Sequence, residues 1–433
     1  MTQKYYLITI GCQMNIADSS RLAAFLEKNN YQKTSNPEQA DLIIFNTCGI
    51  RQSAENRVYG LVNSIRKKNK KAKIVITGCL SQRSDVQKRL AGLVDIFMPI
   101  SAMPDMMKLL KNREFKSNLS LDEIRLRQGE KYLAIIPKYA SRFSAFVPIG
   151  NGCNNFCSYC VVPYARGREV YRPALAIVKE VRELVKKGYK EIILIAQNVN
   201  SYKSGSYDFA KLLAQVAKIK GDFWLRFSTS HPKDVSLNLI KVLGEEKKIC
   251  PHFHLAVQSG DDDILRAMNR GYSAKHFLQL VEKIRAARPG MAITTDIIVG
   301  FPGEKRKQFQ NTVKLFKAAK FDLAYISRYS PRPMTASYSM PDDVSLEEKK
   351  RREKELEKIL VQTALSNNQF YKGKTERVLI EGINKAGNYW GRNAAHKVVN
   401  IYSQGKANKK VIGSFVAVKI NKVTAFNLSG DLL

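Results

Sequence analysis

The chain has 433 residues, 44% of them hydrophobic, with 72 lysines and arginines against 38 acidic residues and a formal charge of +34. That length is ample for burying a core and leaves room for two to four domains, and the composition excludes a disordered or fibrous chain. No apolar run approaches the roughly 18 residues of a membrane-spanning helix, and the N-terminus, MTQKYYLITIGC, enters a strand at once without a signal-peptide layout, so a soluble cytoplasmic protein with no membrane partner is expected.

Residues 1–125 alternate short apolar runs with helical patterns. Strands are predicted at Tyr5–Ile10, Asp41–Phe45 and Lys73–Thr77, followed by helices over Asp18–Asn30, Ser53–Lys68 and Asp85–Leu90. This order makes a small parallel α/β domain. A less regular stretch from Lys111 to Ser141 reads as a connection. Over 140–370 the alternation resumes, with strands at Ala145–Ile149, Glu191–Ile195, Trp224–Phe227, Phe253–Val257, Ala292–Val299 and Leu323–Tyr329. Helical stretches such as Ala174–Lys187 and Ala274–Ala287 lie between them, and six such units form a partial or open (β/α)6 barrel. Ser345 and Glu348 match a capping box and open a charged helix through Arg351, Glu355, Lys358 and Gln362. After Gly373 the runs Arg377–Ile380, Val398–Ile401 and Val411–Val418, separated by glycines, predict a small all-β barrel over 372–433.

Seven cysteines, an odd number in a chain read as cytoplasmic, point to metal binding or catalysis and away from a disulfide framework. Cys153, Cys157 and Cys160 form a C-x3-C-x2-C set just after the first barrel strand. Three thiolates on one loop can hold three irons of a 4Fe-4S cluster, leaving a fourth iron open to the amino and carboxylate groups of S-adenosylmethionine (SAM). The competing reading is zinc, although structural zinc favours four ligands in paired spacings. Tyr159 could pack against an adenine. Cys12, Cys48 and Cys79 are far apart in sequence, yet each lies just beyond a predicted strand, in LITIGC, IIFNTC and IVITGC. In a parallel sheet those ends share one edge, where open α/β domains bind ligands. A second three-cysteine cluster is expected there; the alternative is three small buried residues in strand caps. Cys250, before the fourth barrel strand, reads as a buried small hydrophobe.

Softer signals also follow strands. Gly300-Phe301-Pro302-Gly303-Glu304 could aim backbone amides at a ligand or be a plain turn. Ser228-Thr229-Ser230-His231-Pro232 and Gln258-Ser259-Gly260 lie where barrel active sites collect polar groups. The charge of +34 favours a polyanionic partner, since neutralised phosphates release counterions, or reflects a lysine-rich proteome.

Five blocks taken in order, GCQMN (Gly11–Asn15), GCNNFCSYCVVPYARGREVYRP (Gly152–Pro173), FSTSHP (Phe227–Pro232), HLAVQSG (His254–Gly260) and TDIIVGFPGE (Thr295–Glu304), resemble the radical-SAM methylthiotransferases over nearly the entire chain. The resemblance implies an N-terminal domain with an auxiliary 4Fe-4S cluster on Cys12, Cys48 and Cys79. It implies a radical-SAM partial barrel with the SAM cluster on Cys153, Cys157 and Cys160, and a TRAM-type C-terminal barrel that binds RNA. In such enzymes one SAM gives its methyl group to a sulfur held at the auxiliary cluster. A second SAM is cleaved reductively, and its adenosyl radical attacks the substrate carbon. Gln197, Ser228, Gln258, Arg270 and Asp296 match motif positions of a SAM pocket, and no catalytic side chain is implied beyond the clusters.

GCQMN and VVPYARGREV are similar to the branch acting on N6-isopentenyladenosine beside the tRNA anticodon. The branches for N6-threonylcarbamoyladenosine, with lysine and valine in place of Gln13 and Met14, or for a ribosomal-protein aspartate are the alternatives. The distant alternative is a non-catalytic, zinc-bearing RNA-binding protein. The implied partners are tRNA, a flavodoxin- or ferredoxin-like reductant and a sulfur donor. Met334 stands where the family usually has glycine and Ala336 where it commonly has proline. Ile16-Ala17 replaces an acidic pair, and Asn393 and His396 also depart from the common pattern.

Overall fold

The structure, a computed structural model, describes residues 2–49, 52–112, 129–403, 405 and 407–433. The first sheet comprises β1 (Gln3–Thr9), β2 (Tyr31–Lys33), β3 (Leu42–Thr47), β4 (Lys73–Gly78) and β5 (Ile96–Phe97), all parallel, in the order β2-β1-β3-β4-β5. Its central strand, LIIFNT, is buried throughout, as a strand covered on both faces must be. Leu22 and Leu26 of α1 (Gln13–Lys28) pack with Tyr5, Leu42, Ile44 and Val75 on one face. On the other, Val58, Val62 and Ile65 of α2 (Gln52–Lys68) pack with Ile43, Phe45, Ile74 and Ile76. A short α3 (Ser84–Arg89) follows β4. Of the connection expected over 111–141, residues 113–128 lie outside the described residues; Tyr132 and Leu133 close over the core of α1.

The second unit is an open barrel of six parallel strands: β6 (Ser144–Pro148), β7 (Glu191–Ile195), β8 (Trp224–Ser228), β9 (His252–His254), β10 (Ala292–Val299) and β11 (Leu323–Arg328). Two three-stranded ladders, β6-β7-β8 and β9-β10-β11, are joined by the single bridges Leu225–Ile249 and Ser230–Leu255. The fourth strand is shorter than the Phe253–Val257 run suggests. After His254 the chain leaves the ladder, and Gln258 adopts φ +70. The helices include α4 (Val162–Arg166), α5 (Ala174–Lys186), α6 (Ala274–Ala287) and α7 (Leu346–Asn368). Along β6 and β7 the side chains alternate. Ala145, Val147, Ile192 and Leu194 join the core shared with α5 and α6, whereas Phe146, Ile193 and Ile195 face inward and meet Met14 and Ala17 of α1. The first domain is thus seated on the barrel's inner face. Ser345 caps α7 through the Glu348 N–H (3.2 Å), but the capping box closes only one way, because the Glu348 carboxylate pairs with Arg351 and Arg352.

The C-terminal unit is a closed barrel of β12 (Thr375–Ile383), β13 (Tyr389–Asn393), β14 (Val398–Tyr402), β15 (Phe415–Val423) and β16 (Asn427–Leu432), in the order β12-β13-β14-β16-β15. Strands β13 and β16 escape the sequence pattern because glycines and polar residues interrupt their alternation, and β15 starts later than expected because Lys409–Val411 form a 3-10 turn. This unit plugs the N-terminal end of the large barrel. Arg226 on β8 donates to the carbonyls of Asn393 (2.9 Å) and Ala394 (2.7 Å) and pairs with Glu191 (2.7 Å). Lys397 pairs with Asp322 at 2.7 Å, and Cys250 is buried with Trp224 and Leu379. Among the described residues no helix is long and apolar enough to cross a membrane.

At this junction the rings of His252 and His396 lie 4.8 Å apart. Burial holds both imidazoles well below the ordinary histidine range. The positive charges of Arg226 and Arg392 reinforce this at both, Lys397 and His254 do so at His252, and His252 does so at His396. The folded pair therefore stays neutral where the unfolded chain takes up protons, below about pH 6.5. Stability from this junction is full above that value and falls on acidification, by on the order of 1 kcal/mol per pH unit per histidine. Thermal unfolding between about pH 7 and pH 5 should show a falling midpoint, and His252→Gln should flatten that slope.

Candidate functional site

Neighbouring strands β1, β3 and β4 end at one sheet edge, and Cys12, Cys48 and Cys79 follow those ends. Gly78 has φ +84, and a Cβ there would stand 2.4 Å from the Thr47 carbonyl oxygen, so only glycine lets this loop pass so close to β3. Asn15 fastens the edge: its Oδ1 accepts the Cys12 N–H (3.2 Å), and its Nδ2 donates to Asn46 Oδ1 (2.8 Å) and the Thr47 carbonyl (3.1 Å). The three loops converge closely. A Cβ at Gly11 would lie 2.8 Å from the Cys48 Cβ, and one at Gly49 would lie 3.3 Å from the Cys79 Cβ. Cys48 and Cys79 are buried and Cys12 is exposed.

The second set sits between the two short strands Gly150–Asn151 and Val170–Tyr171, just ahead of α4. Gly152, at φ +87, would carry a Cβ 2.1 Å from the Arg168 carbonyl oxygen, so the chain entering Cys153 again requires glycine. The Cys153 N–H reaches the Gly167 carbonyl (3.1 Å) and the Cys160 N–H the Cys157 carbonyl (2.9 Å), which curls the loop around the thiols. Arg270 donates to Cys157 Sγ at 3.2 Å and is itself held by the Ala256 carbonyl (2.7 Å) and the Tyr272 hydroxyl (3.0 Å). Burial pushes the Cys153 thiol up to about 11 and raises Cys79 and Cys160 as well, so ligation has to displace their protons.

The two sets belong to two domains that meet where Met14 and Ala17 of α1 pack on Phe146, Ile193 and Ile195 of the barrel. Among the described residues no three His, Cys, Asp or Glu side chains crowd around a point that one metal ion would fill. A cubane presents its irons as separate corners, so its thiolates stand farther apart than the ligands of a single ion. A donor set of three thiols fits a cluster that keeps one iron open.

The ends of β7 to β10 gather the other candidates. Gln197 and Gln258 each bury an Oε1 that has no hydrogen-bond partner, as do Ser230 with its Oγ and His231 with its Nε2. Buried polar atoms unpaired in this way call for a partner, which a bound polar ligand or ordered water would supply. Ser228 Oγ meets only Thr229 Oγ1 (3.3 Å), and Asp296 Oδ2 lies 3.2 Å from His254 Nε2 with its side chain part-exposed. Tyr159 packs beside Ile264, Met268, Phe301 and Tyr329, while Arg270 is committed to Cys157. The Gly300 turn closes on itself: its N–H goes to Glu304 (2.6 Å), which pairs with Arg352 (2.7 Å).

The resemblance singles out Ser228, whereas Ser230 and His231 enter the sequence reading only as members of the same post-strand run. His231 accepts the Lys233 N–H at Nδ1 (3.2 Å), and burial with the charge of Arg270 brings its pKa down to about 2, so Nε2 carries the proton and points a donor inward. Arg166 and Arg332 were also missed. Arg166 lies one short helix past Cys160 and pairs with Asp18 of α1 at 2.7 Å. Arg332 reaches Gln52 (2.6 Å) and Glu55 (3.5 Å) on α2.

Three family profiles match the chain: Radical SAM superfamily over residues 147–316, Uncharacterized protein family UPF0004 over residues 4–98, and TRAM domain over residues 369–433. A protein of Carboxydothermus hydrogenoformans named tRNA-2-methylthio-N(6)-dimethylallyladenosine synthase is 39% identical over 442 residues, covering 100% of this chain and 99% of the relative. The protein of that name from Caldicellulosiruptor saccharolyticus is 41% identical over 443 residues, covering 99% of this chain and 92% of the relative. Among solved structures, the radical S-adenosylmethionine methyltransferase TsrM from Kitasatospora setae shares the fold, with a TM-score of 0.57 at 13% identity over 78% of this chain and 75% of that one.

Proposed function

The chain belongs to the family of tRNA-2-methylthio-N(6)-dimethylallyladenosine synthases, and from that membership we propose that it transfers a methylthio group to C2 of N6-isopentenyladenosine at position 37 of tRNA, beside the anticodon. The observation that carries this reading is the presence of two three-cysteine sets, one just past the strand ends of the N-terminal sheet and one on the loop ahead of α4, in two domains packed against each other. When bound, two 4Fe-4S clusters and SAM supply the sulfur, the methyl group and the 5′-deoxyadenosyl radical such a transfer needs.

In this reading Cys153, Cys157 and Cys160 hold the SAM cluster, and Cys12, Cys48 and Cys79 the auxiliary one. Arg270 orients Cys157 by its hydrogen bond. The unpartnered atoms of Gln197, Ser230, His231 and Gln258, with Ser228 and Asp296 alongside, receive the polar groups of SAM, and Tyr159 lends an apolar wall. The formal charge of +34 and the closed C-terminal barrel support the approach of the tRNA backbone. A flavodoxin- or ferredoxin-like protein of the cytoplasm delivers the electrons.

The test is an anaerobic reaction of reconstituted enzyme, SAM and reductant with tRNA bearing isopentenyladenosine, the digested nucleosides being read by mass spectrometry. The 2-methylthio derivative is expected. SAM cleavage with that nucleoside unchanged would overturn the substrate and move it to threonylcarbamoyladenosine or a ribosomal-protein aspartate. Zinc without sulfide-bound iron would overturn the enzyme class.

A further inference from the structure

Inside the large barrel a line of polar side chains runs up β9 and β10. The two strands are parallel, with His252 opposite Ala292 and His254 opposite Thr294. Ile293, Ile297 and Val299 belong to the core shared with the helices, so Thr294 and Asp296, which alternate with them, face the barrel's interior. There His254 is engaged at both ring nitrogens. Its Nδ1 lies 3.0 Å from Thr294 Oγ1 and its Nε2 lies 3.2 Å from Asp296 Oδ2. Thr294 Oγ1 is also 3.2 Å from His252 Nε2. The His254 side chain is only 13% exposed, whereas that of Asp296, at the upper end of the line, is 40% exposed.

The carboxylate fixes the direction of the line. An ionised carboxylate only accepts, so a neutral His254 ring in this contact carries its proton on Nε2. Its Nδ1 then accepts from the Thr294 hydroxyl, whose oxygen in turn accepts from His252 Nε2–H. A hydroxyl donates once, so with a neutral His254 ring no other arrangement satisfies all three contacts. Among the described residues the Asp296 carboxylate has no hydrogen-bond partner besides His254, which leaves its Oδ1 free to accept from a ligand. A side chain whose torsions are already fixed loses less freedom when the ligand arrives.

We propose that His254, oriented by Thr294, is a positioning residue that aims the Asp296 carboxylate at a hydrogen-bond donor of SAM. This rests on Asp296 belonging to the SAM pocket.

The experiment measures SAM affinity by equilibrium dialysis, using anaerobically reconstituted full-length protein at about pH 8, where an ordinary imidazole is neutral. Asp296→Ala should weaken binding by about tenfold or more, the size expected for losing a hydrogen bond to a charged group. His254→Leu and Thr294→Val lose the aim but keep the acceptor, and should each weaken it by about threefold to tenfold. Thr294→Ser keeps the hydroxyl, and His254→Gln keeps an amide donor in place of Nε2; both should stay near the parent. In protein already carrying Asp296→Ala, His254→Leu and Thr294→Val should cost nothing more, because nothing remains to be aimed. A merely structural role predicts that the losses add, and that result overturns the proposal. Should His254→Leu fail to fold, Thr294→Val, which keeps the shape of the side chain, decides the matter. Nitrogen-15 shifts of the five histidines in the apoprotein give a second reading: His254 should carry its proton on Nε2, and a proton on Nδ1 overturns the proposal. Unchanged affinity in Asp296→Ala would instead overturn the place of Asp296 in the SAM pocket.

Discussion

Replacing Cys153, Cys157 and Cys160 together by alanine will abolish reductive cleavage of SAM and leave about half of the iron and sulfide of the reconstituted protein. Another thiol is badly placed to substitute: Cys250 is buried with Trp224 and Leu379 at the far end of the barrel, under the C-terminal unit. The fold should survive the change. The three residues lie on a loop outside the main apolar core, and the strands around them are fixed by Ala145, Val147, Ile192 and Leu194. Release of 5′-deoxyadenosine should fall below detection, while the circular dichroism spectrum and unfolding midpoint stay near those of the parent. Loss of all the iron, or residual cleavage, would contradict the division of the cysteines into two independent sets.

The complementary replacement of Cys12, Cys48 and Cys79 should separate the two halves of the reaction. SAM cleavage persists, because the other loop and its Arg270 contact are untouched, but methylthio transfer stops, because nothing remains to hold the sulfur. The readout is the ratio of 5′-deoxyadenosine released to methylthiolated nucleoside formed, which should rise from near stoichiometric to unbounded. Methylated or thiolated product at the parent's rate would sink the auxiliary role of these residues. Cys48 and Cys79 are almost fully buried, so alanine at these positions leaves small cavities, and some loss of stability in the first domain is expected with it.

Much of this was legible in the chain because periodicity and local spacing carry it. The runs LIIF (Leu42–Phe45) and IILI (Ile192–Ile195) are apolar without interruption, and both lie in strands buried throughout. Cys12, Cys48 and Cys79 could be brought to one edge from the sequence alone, since a parallel sheet aligns the ends of its strands. What escaped depends on contacts between distant segments. Nothing local marks Arg166 as a partner of Asp18, because their meeting needs α1 to enter the barrel. Strands β13 and β16 were hidden because Gly391, Asn393 and Gly430 hold inward positions, so burial alternates along them without apolar residues to mark it. Ser230 and His231 drew no more notice than their neighbours until the structure showed their polar atoms turned inward without partners.

The seating of α1 also bears on how the chain is made. Met14 and Ala17 lean on Ile193 and Ile195, and Asp18 waits for Arg166, so α1 is completed by segments that leave the ribosome much later than it does. At roughly 5–20 residues per second, that delay is on the order of ten seconds or more. During it the nascent N-terminal sheet can fold, but one helix presents a bare apolar face and an unneutralised carboxylate. A nascent-chain holdase would find its binding site there, and a fragment ending near residue 98 would keep that face uncovered for as long as it lived.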